Sequence, residues 1–125
     1  METPDRLGQE KPAVDAAAIE RLREIGDGDV AFLKDVFSAF ESDTAQRLVA
    51  MRETLAAGDF TGLKRAAHTI KGSSLNVGAS NLTAVSLQLE QLAGSGKLEG
   101  AAELICRIEE EFKRVAVELH NITQG

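Results

Sequence analysis

The chain has 125 residues, 43% hydrophobic and 27% charged, with a formal net charge of −6, which describes one globular domain with a real core rather than a disordered segment. The acidic balance argues against a nucleic-acid partner, which needs a basic surface, and a chain without Trp or Tyr offers little for base stacking. No apolar run approaches the about eighteen residues that cross a bilayer, and no signal peptide opens the chain, so no membrane partner and a cytoplasmic address are expected; a single cysteine, Cys106, excludes an internal disulfide and a multi-cysteine zinc site.

In chain order, residues 1–13 are polar, hold both prolines and show no apolar period; they are expected to be a flexible tail, with the domain running over 14–123. Asp15 can cap a short helix carrying Ala18, Ile19, Leu22 and Ile25, which Gly26 ends. The turn GDGD follows, with Asp27 or Asp29 as the next N-cap. A long helix comes next: Leu33, Val36, Phe37, Phe40, Thr44, Leu48, Met51 and Leu55 recur at steps of three or four, one helical stripe. Gly58 stops it. Asp59 caps a third helix whose inward stripe is Leu63, Ala67, Ile70 and Ser74, and Gly78 ends that one. Ser80 or Asn81 starts a fourth, with Leu82, Val85, Leu89 and Leu92 inward. After the loop GSGK, the last helix carries Ala101, Leu104, Ile105, Ile108, Phe112, Val115, Leu119 and Ile122. Glu109 with Lys113 and Glu110 with Arg114 are spaced to pair along its outer side. No stretch alternates with period two. Four amphipathic helices on short loops must bury their stripes against one another. The predicted fold is therefore all-α: an antiparallel up-down-up-down four-helix bundle with a short additional N-terminal helix.

The stretch AAHTIKGSSLNVGA, residues 66–79, departs from what helix stability alone would choose. Histidine is a middling helix former, and an interior glycine costs about 1 kcal/mol relative to alanine. With Leu63, Ala67, Ile70 and Ser74 toward the core, His68 lies roughly 120–130° away, at the exposed edge of the bundle. Lys64 and Lys71 flank it one turn to either side, Arg65 borders the patch, and Gly72 sits one turn on. An exposed neutral imidazole can take and return a phosphoryl group. An ammonium beside it can neutralise phosphoryl oxygens, and a glycine removes the side chain that would obstruct an incoming group. Each residue alone also has an ordinary reading: a surface histidine, a close-packing glycine. Their combination is less ordinary, yet chemistry alone does not name the reaction.

The same stretch resembles the signature of histidine-containing phosphotransfer (HPt) domains, approximately A-H-x-[LI]-K-G-S-[SA]-x-x-[LV]-G. His68, Lys71, Gly72, Ser73 and Gly78 fit it, with Ile70 and Val77 at the hydrophobic places. The lead-in LAAGDFTGLKRAAH and the later LQLEQLAGSGKLEGAAELICRIEEEFKRV are similar to the family's flanking helices, so the resemblance spans roughly Asp15 to Ile122. It implies a carrier of phosphoryl groups between the aspartates of receiver domains in two-component phosphorelays, without kinase or ATPase activity. It implies no cofactor or metal of its own, the magnesium being on the receiver. By the resemblance, His68 is phosphorylated on its outer ring nitrogen, Lys71 steadies the phosphoryl group and Gly72 gives the receiver access. Lys64, Arg65, Leu75 and Glu90 are supporting or docking residues. Glu90 falls where the family often places a polar residue near the histidine, commonly Gln. Ser73 and Ser74 allow close helix packing, and exposed Leu75 and Leu87 are docking candidates.

K-G-S-S after the histidine looks more like relay domains than the phosphoacceptor domain of chemotaxis kinases, which often reads K-G-G-A. Sensor-kinase dimerisation helices usually put an acidic residue directly after the histidine, where this chain has Thr69. The expected partners are receiver domains or a hybrid sensor kinase, and the expected state is a monomer. The alternative is a non-phosphorylated helical adaptor using the same face only for binding. His120 has a bland reading, a cation near a helix C-terminus, and so does Cys106, a surface or first-helix contact and not a nucleophile.

Overall fold

Aspartates begin three of the helices, and each does so by capping. Asp15, Asp29 and Asp59 accept hydrogen bonds through a side-chain oxygen from the backbone N–H of Ala17 (3.1 Å), Ala31 (2.9 Å) and Gly62 (2.9 Å), donors that a helix start otherwise leaves unpaired. The computed structural model describes residues 12–124, and the helices are α1 (Ala16–Ile25), α2 (Val30–Ala57), α3 (Phe60–Asn76), α4 (Ser80–Gly94) and α5 (Ala101–Gln124), with no strand among the described residues. The choice left open at GDGD falls on Asp29, while Asp27 takes a positive φ of 58° inside the turn.

α2 packs on α3 and α5, and α4 packs on α3 and α5, which closes a ring of four helices with sequence neighbours antiparallel; α1 rests on α2. The stripes read from the sequence meet at the centre. Leu33, Met51, Leu63, Ile70, Leu82, Leu89, Ile105, Ile108 and Leu119 are all essentially buried. Burying a side chain of this size contributes roughly 1.5–3 kcal/mol, so this shared interior, rather than helix propensity, holds the elements together.

Several expectations are corrected. Ile25 is 71% exposed; α1 has only one face covered, by Ala18, Ile19 and the half-buried Leu22, and Ile25 lies beyond it. Residues 1–11 of the expected tail lie outside the described residues. Ala13 is buried with Val14, and the Asp15 N–H donates to the Gly78 carbonyl (2.7 Å), so the chain just before α1 is fastened to the α3–α4 turn. Glu109 turns to α2 instead of Lys113. Arg52 donates to it from Nη2 (2.7 Å) and Nε (3.2 Å). A two-pronged guanidinium–carboxylate contact is stronger than an exposed i,i+4 pair of about 0.2–0.5 kcal/mol. Arg114 pairs with Glu111, one residue from the expected Glu110 (2.8 Å).

Gly58 and Gly78 both adopt left-handed backbone, with φ of 66° and 74°, but a side chain at Gly58 would meet open space and one at Gly78 would meet Ala18 and Asp15. Gly58→Ala is expected to cost about 1–2 kcal/mol from backbone strain alone. Gly78→Ala is expected to cost more, because α1 must also shift. Urea unfolding of the two variants checks this; equal losses would show that α1 is not seated on Gly78.

Candidate functional site

The seam between α3 and α4 is lined by small side chains. Ala67 and Ser74 on α3 and Ser86 on α4 are fully buried. Ser74 Oγ and Thr83 Oγ1 lie 2.8 Å apart and share one hydrogen bond, and whichever hydroxyl accepts it donates its own proton to a backbone carbonyl, that of Lys71 (3.0 Å) for Ser74 or of Ala79 (2.9 Å) for Thr83. Ser74 therefore serves packing, as the sequence suggested. The antiparallel pairing that sets Ser74 opposite Thr83 brings Glu90, two turns further along α4, opposite Ala67 and its neighbour His68.

There Glu90 becomes the centre of the site. Its Oε2 lies 2.8 Å from His68 Nδ1 and its Oε1 lies 2.7 Å from Lys71 Nζ. Lys71 is the one partner of Oε1 among the described residues, and that oxygen is buried. Glu90 is mostly covered, with 15% of its side chain exposed, and Lys71 is 25% exposed, whereas His68 is 65% exposed. The Lys71 ammonium, with a smaller contribution from the His68 ring, holds the Glu90 carboxyl below its ordinary value of 4.5, against burial, which acts the other way. A neutral His68 ring facing this carboxylate carries its proton on Nδ1 and donates it to Oε2, which leaves the Nε2 lone pair open. Nε2 has no hydrogen-bond partner among the described residues.

The surroundings of the ring are asymmetric. Toward the start of α3, Thr61, Lys64 and Arg65 join His68 and Glu90 around a shallow depression of about 360 Å³. Toward its end, Gly72 is exposed, and a Cβ there would have nothing within 4 Å. The close-packing reading of that glycine is thereby excluded. Leu75 (59% exposed) and Leu87 (39%) are both outward-facing.

The other histidine, His120, lines a different depression with Lys34, Phe37 and Glu41 at the α2–α5 face. Cys106 is at the surface, as expected, but its 3.5 Å contact is from Arg52 Nη2 on α2 and not from the first helix. No group of three or more His, Cys, Asp or Glu side chains among the described residues could hold a metal ion. Sequence reasoning brought His68, Lys71, Gly72, Lys64 and Arg65 to one face. It undervalued Glu90 and missed Thr61. The signal for Glu90 was the polar run Thr83, Ser86, Glu90, stepping by three and four on the face turned to α3.

A family model described as the Hpt domain matches residues 35–118, which include the whole of this site. The chain is 24% identical over 99 residues to histidine-containing phosphotransfer protein 2 of Arabidopsis thaliana; the match covers 77% of this chain and spans 64% of that relative's length. The crystal structure of histidine-containing phosphotransfer protein B from Pseudomonas aeruginosa PAO1 superposes with a TM-score of 0.85 at 30% identity, covering 92% of this chain and 97% of that one. A matched family model over most of the chain, on a helical bundle whose exposed histidine is held at Nδ1, places the protein: it belongs to the Hpt domain family.

Proposed function

We propose that this protein is a phosphoryl carrier: Nε2 of His68 takes a phosphoryl group from the aspartyl phosphate of one receiver domain and yields it to the aspartate of another. The observation that carries this reading is the 2.8 Å contact between Nδ1 and Glu90 on a ring that is otherwise exposed. Charge-assisted hydrogen bonds contribute roughly 1.5–3 kcal/mol. Even the lower end, appropriate to a solvent-facing ring, biases the tautomer about tenfold toward proton on Nδ1 and lone pair on Nε2. A helical adaptor that only binds would have no use for that bias.

The step conserves its proton. The Nε2 lone pair attacks phosphorus in line, the phosphorus–oxygen bond to the receiver's aspartate breaks, and the aspartate leaves as a carboxylate. The ring becomes an N-phosphorylated imidazolium whose Nδ1 proton never departs, and its new positive charge faces Glu90. In the reverse direction the same proton lets imidazole leave as a neutral group, which makes His68 a donor as well as an acceptor. The chain's residues supply positioning and electrostatics, and the receiver supplies the second reacting oxygen and its magnesium. Lys71 keeps Glu90 ionised, and its charge is one side chain away from the reacting nitrogen. The open space at Gly72 lets the receiver approach. Leu75 and Leu87 provide apolar contact for docking, and the site as read works in a monomer.

Incubation with a phosphorylated receiver is expected to place an acid-labile, base-stable label on the protein, and His68→Gln is expected to abolish it while moving stability by less than about 0.5 kcal/mol. A label that persists in His68→Gln would refute the assignment.

At Gly72 stability and function are expected to diverge. Gly72→Ala should stabilise the fold by up to about 1 kcal/mol, since the new methyl meets nothing. Gly72→Gln should keep the fold and slow transfer. Thermal midpoint and transfer rate, measured together, decide; unslowed transfer in Gly72→Gln would end the access argument.

Because the folded-state carboxyl of Glu90 is depressed, its contribution to stability is complete above its ordinary value of 4.5 and is lost as pH falls through the lower folded value. The stability difference between wild type and Glu90→Gln should therefore be level above pH 4.5 and close below it, as read from urea unfolding at stepped pH. A difference unchanged by acid would mean that the ion pair contributes nothing.

A further inference from the structure

The cations around His68 fall into two kinds. Lys71 is already committed: its Nζ lies 2.7 Å from Glu90 Oε1, and that oxygen is buried with no other partner among the described residues. Moving the ammonium from Glu90 onto a phosphoryl group would strand a buried carboxylate oxygen, a costly exchange even with the gain of a new partner. Lys64 and Arg65 are under no such constraint. Both are exposed, neither pairs with a carboxylate among the described residues, and both open with Thr61 onto the depression of about 360 Å³ that His68 shares. The sole carboxylate on its lining is Glu90, whose charge Lys71 already meets. The depression thus holds two unneutralised positive charges beside the ring.

The stem and ammonium of Lys64 pass 3.7–3.8 Å from where a Cβ of Gly94 would stand. Gly94 lies one turn beyond Glu90 on α4, and Lys64 with Thr61 lines both the depression beside His68 and a second one at Gly94. Arg65, one turn before His68 on α3, lines only the depression beside the ring.

We infer that the phosphoryl oxygens on His68 are received in this depression by Lys64 and Arg65, while Lys71 remains on Glu90 and acts through it as a positioning residue. The inference rests on the phosphoryl-carrier reading. No further bond changes: the P–N bond forms at Nε2 as described, and the two cations meet the charge on the oxygens.

The test is the position of the phosphotransfer equilibrium, because a residue that only aids docking changes the rate of approach to that equilibrium and not its value. Wild type, Lys64→Gln/Arg65→Gln and Lys71→Gln are each mixed with one receiver domain charged with acetyl phosphate, and the phosphohistidine-to-phosphoaspartate ratio is read at the plateau. The double variant is expected to shift the ratio away from phosphohistidine by about 3- to 10-fold, the size of two exposed charge-assisted contacts. Lys71→Gln is expected not to shift it that way, since a less neutralised Glu90 favours the phosphoimidazolium. Nitrogen-15 spectra of the uncharged His68 ring should instead respond to Lys71→Gln and leave the double variant at the wild-type tautomer ratio. A double variant with the wild-type ratio, or a Lys71→Gln shift away from phosphohistidine as large as that of the double variant, would overturn the assignment. A wild-type protein that takes no label from the receiver would instead refute the carrier reading itself.

Discussion

One carboxylate organises this protein's reactive face. Glu90 holds Nδ1 of His68 with one oxygen and the ammonium of Lys71 with the other, at 2.8 and 2.7 Å. Remove the charge from Glu90 and a neutral ring loses the acceptor that holds its proton on the inner nitrogen, while Lys71 loses its ion-pair partner. A surface imidazole without such a partner divides its proton between two nitrogens and swings freely. Here the neutral ring favours one tautomer because a mostly buried acid on the next helix accepts from its inner nitrogen.

The scaffold exists to keep that distance short. Ala67, Ser74 and Ser86 let α3 and α4 approach closely, and the Ser74–Thr83 hydrogen bond fixes their register two turns away from the site. Gly78 turns the chain between the two helices in left-handed backbone, and the segment before α1 fastens to its carbonyl. On the opposite side of the ring of helices, the Arg52–Glu109 contact ties α2 to α5. Gly72 is an exception to this close packing: it weakens its own helix and nothing packs against it.

Charge is distributed with the same economy. The chain carries 20 acidic and 14 basic residues, yet Lys64, Arg65 and Lys71 gather around His68. An acidic protein with a local basic patch repels polyanions generally and still offers a favourable field to a small anion at that patch. Burial divides the patch: the covered ammonium serves the carboxylate, and the exposed cations face the depression.

The helices, their caps and most of the interior were legible in the sequence, because the three-to-four residue stripes and the Asp and Gly boundaries are local properties of the chain. His68, Lys71 and Gly72 were legible too, since a motif within a few helical turns fixes their relative directions. The sequence could not say that Ile25 would be left uncovered, or that Glu109 would turn to Arg52 rather than Lys113. Each of those depends on which surface lies opposite once helices pack. Glu90 is the clearest case. Twenty-two residues separate it from His68, and nothing along the chain measures the gap between two helices or the register in which they meet. That the site contains an imidazole between cations was written in the sequence. That a carboxylate holds the imidazole's inner nitrogen, and takes one of those cations for itself, was decided only when α4 closed against α3.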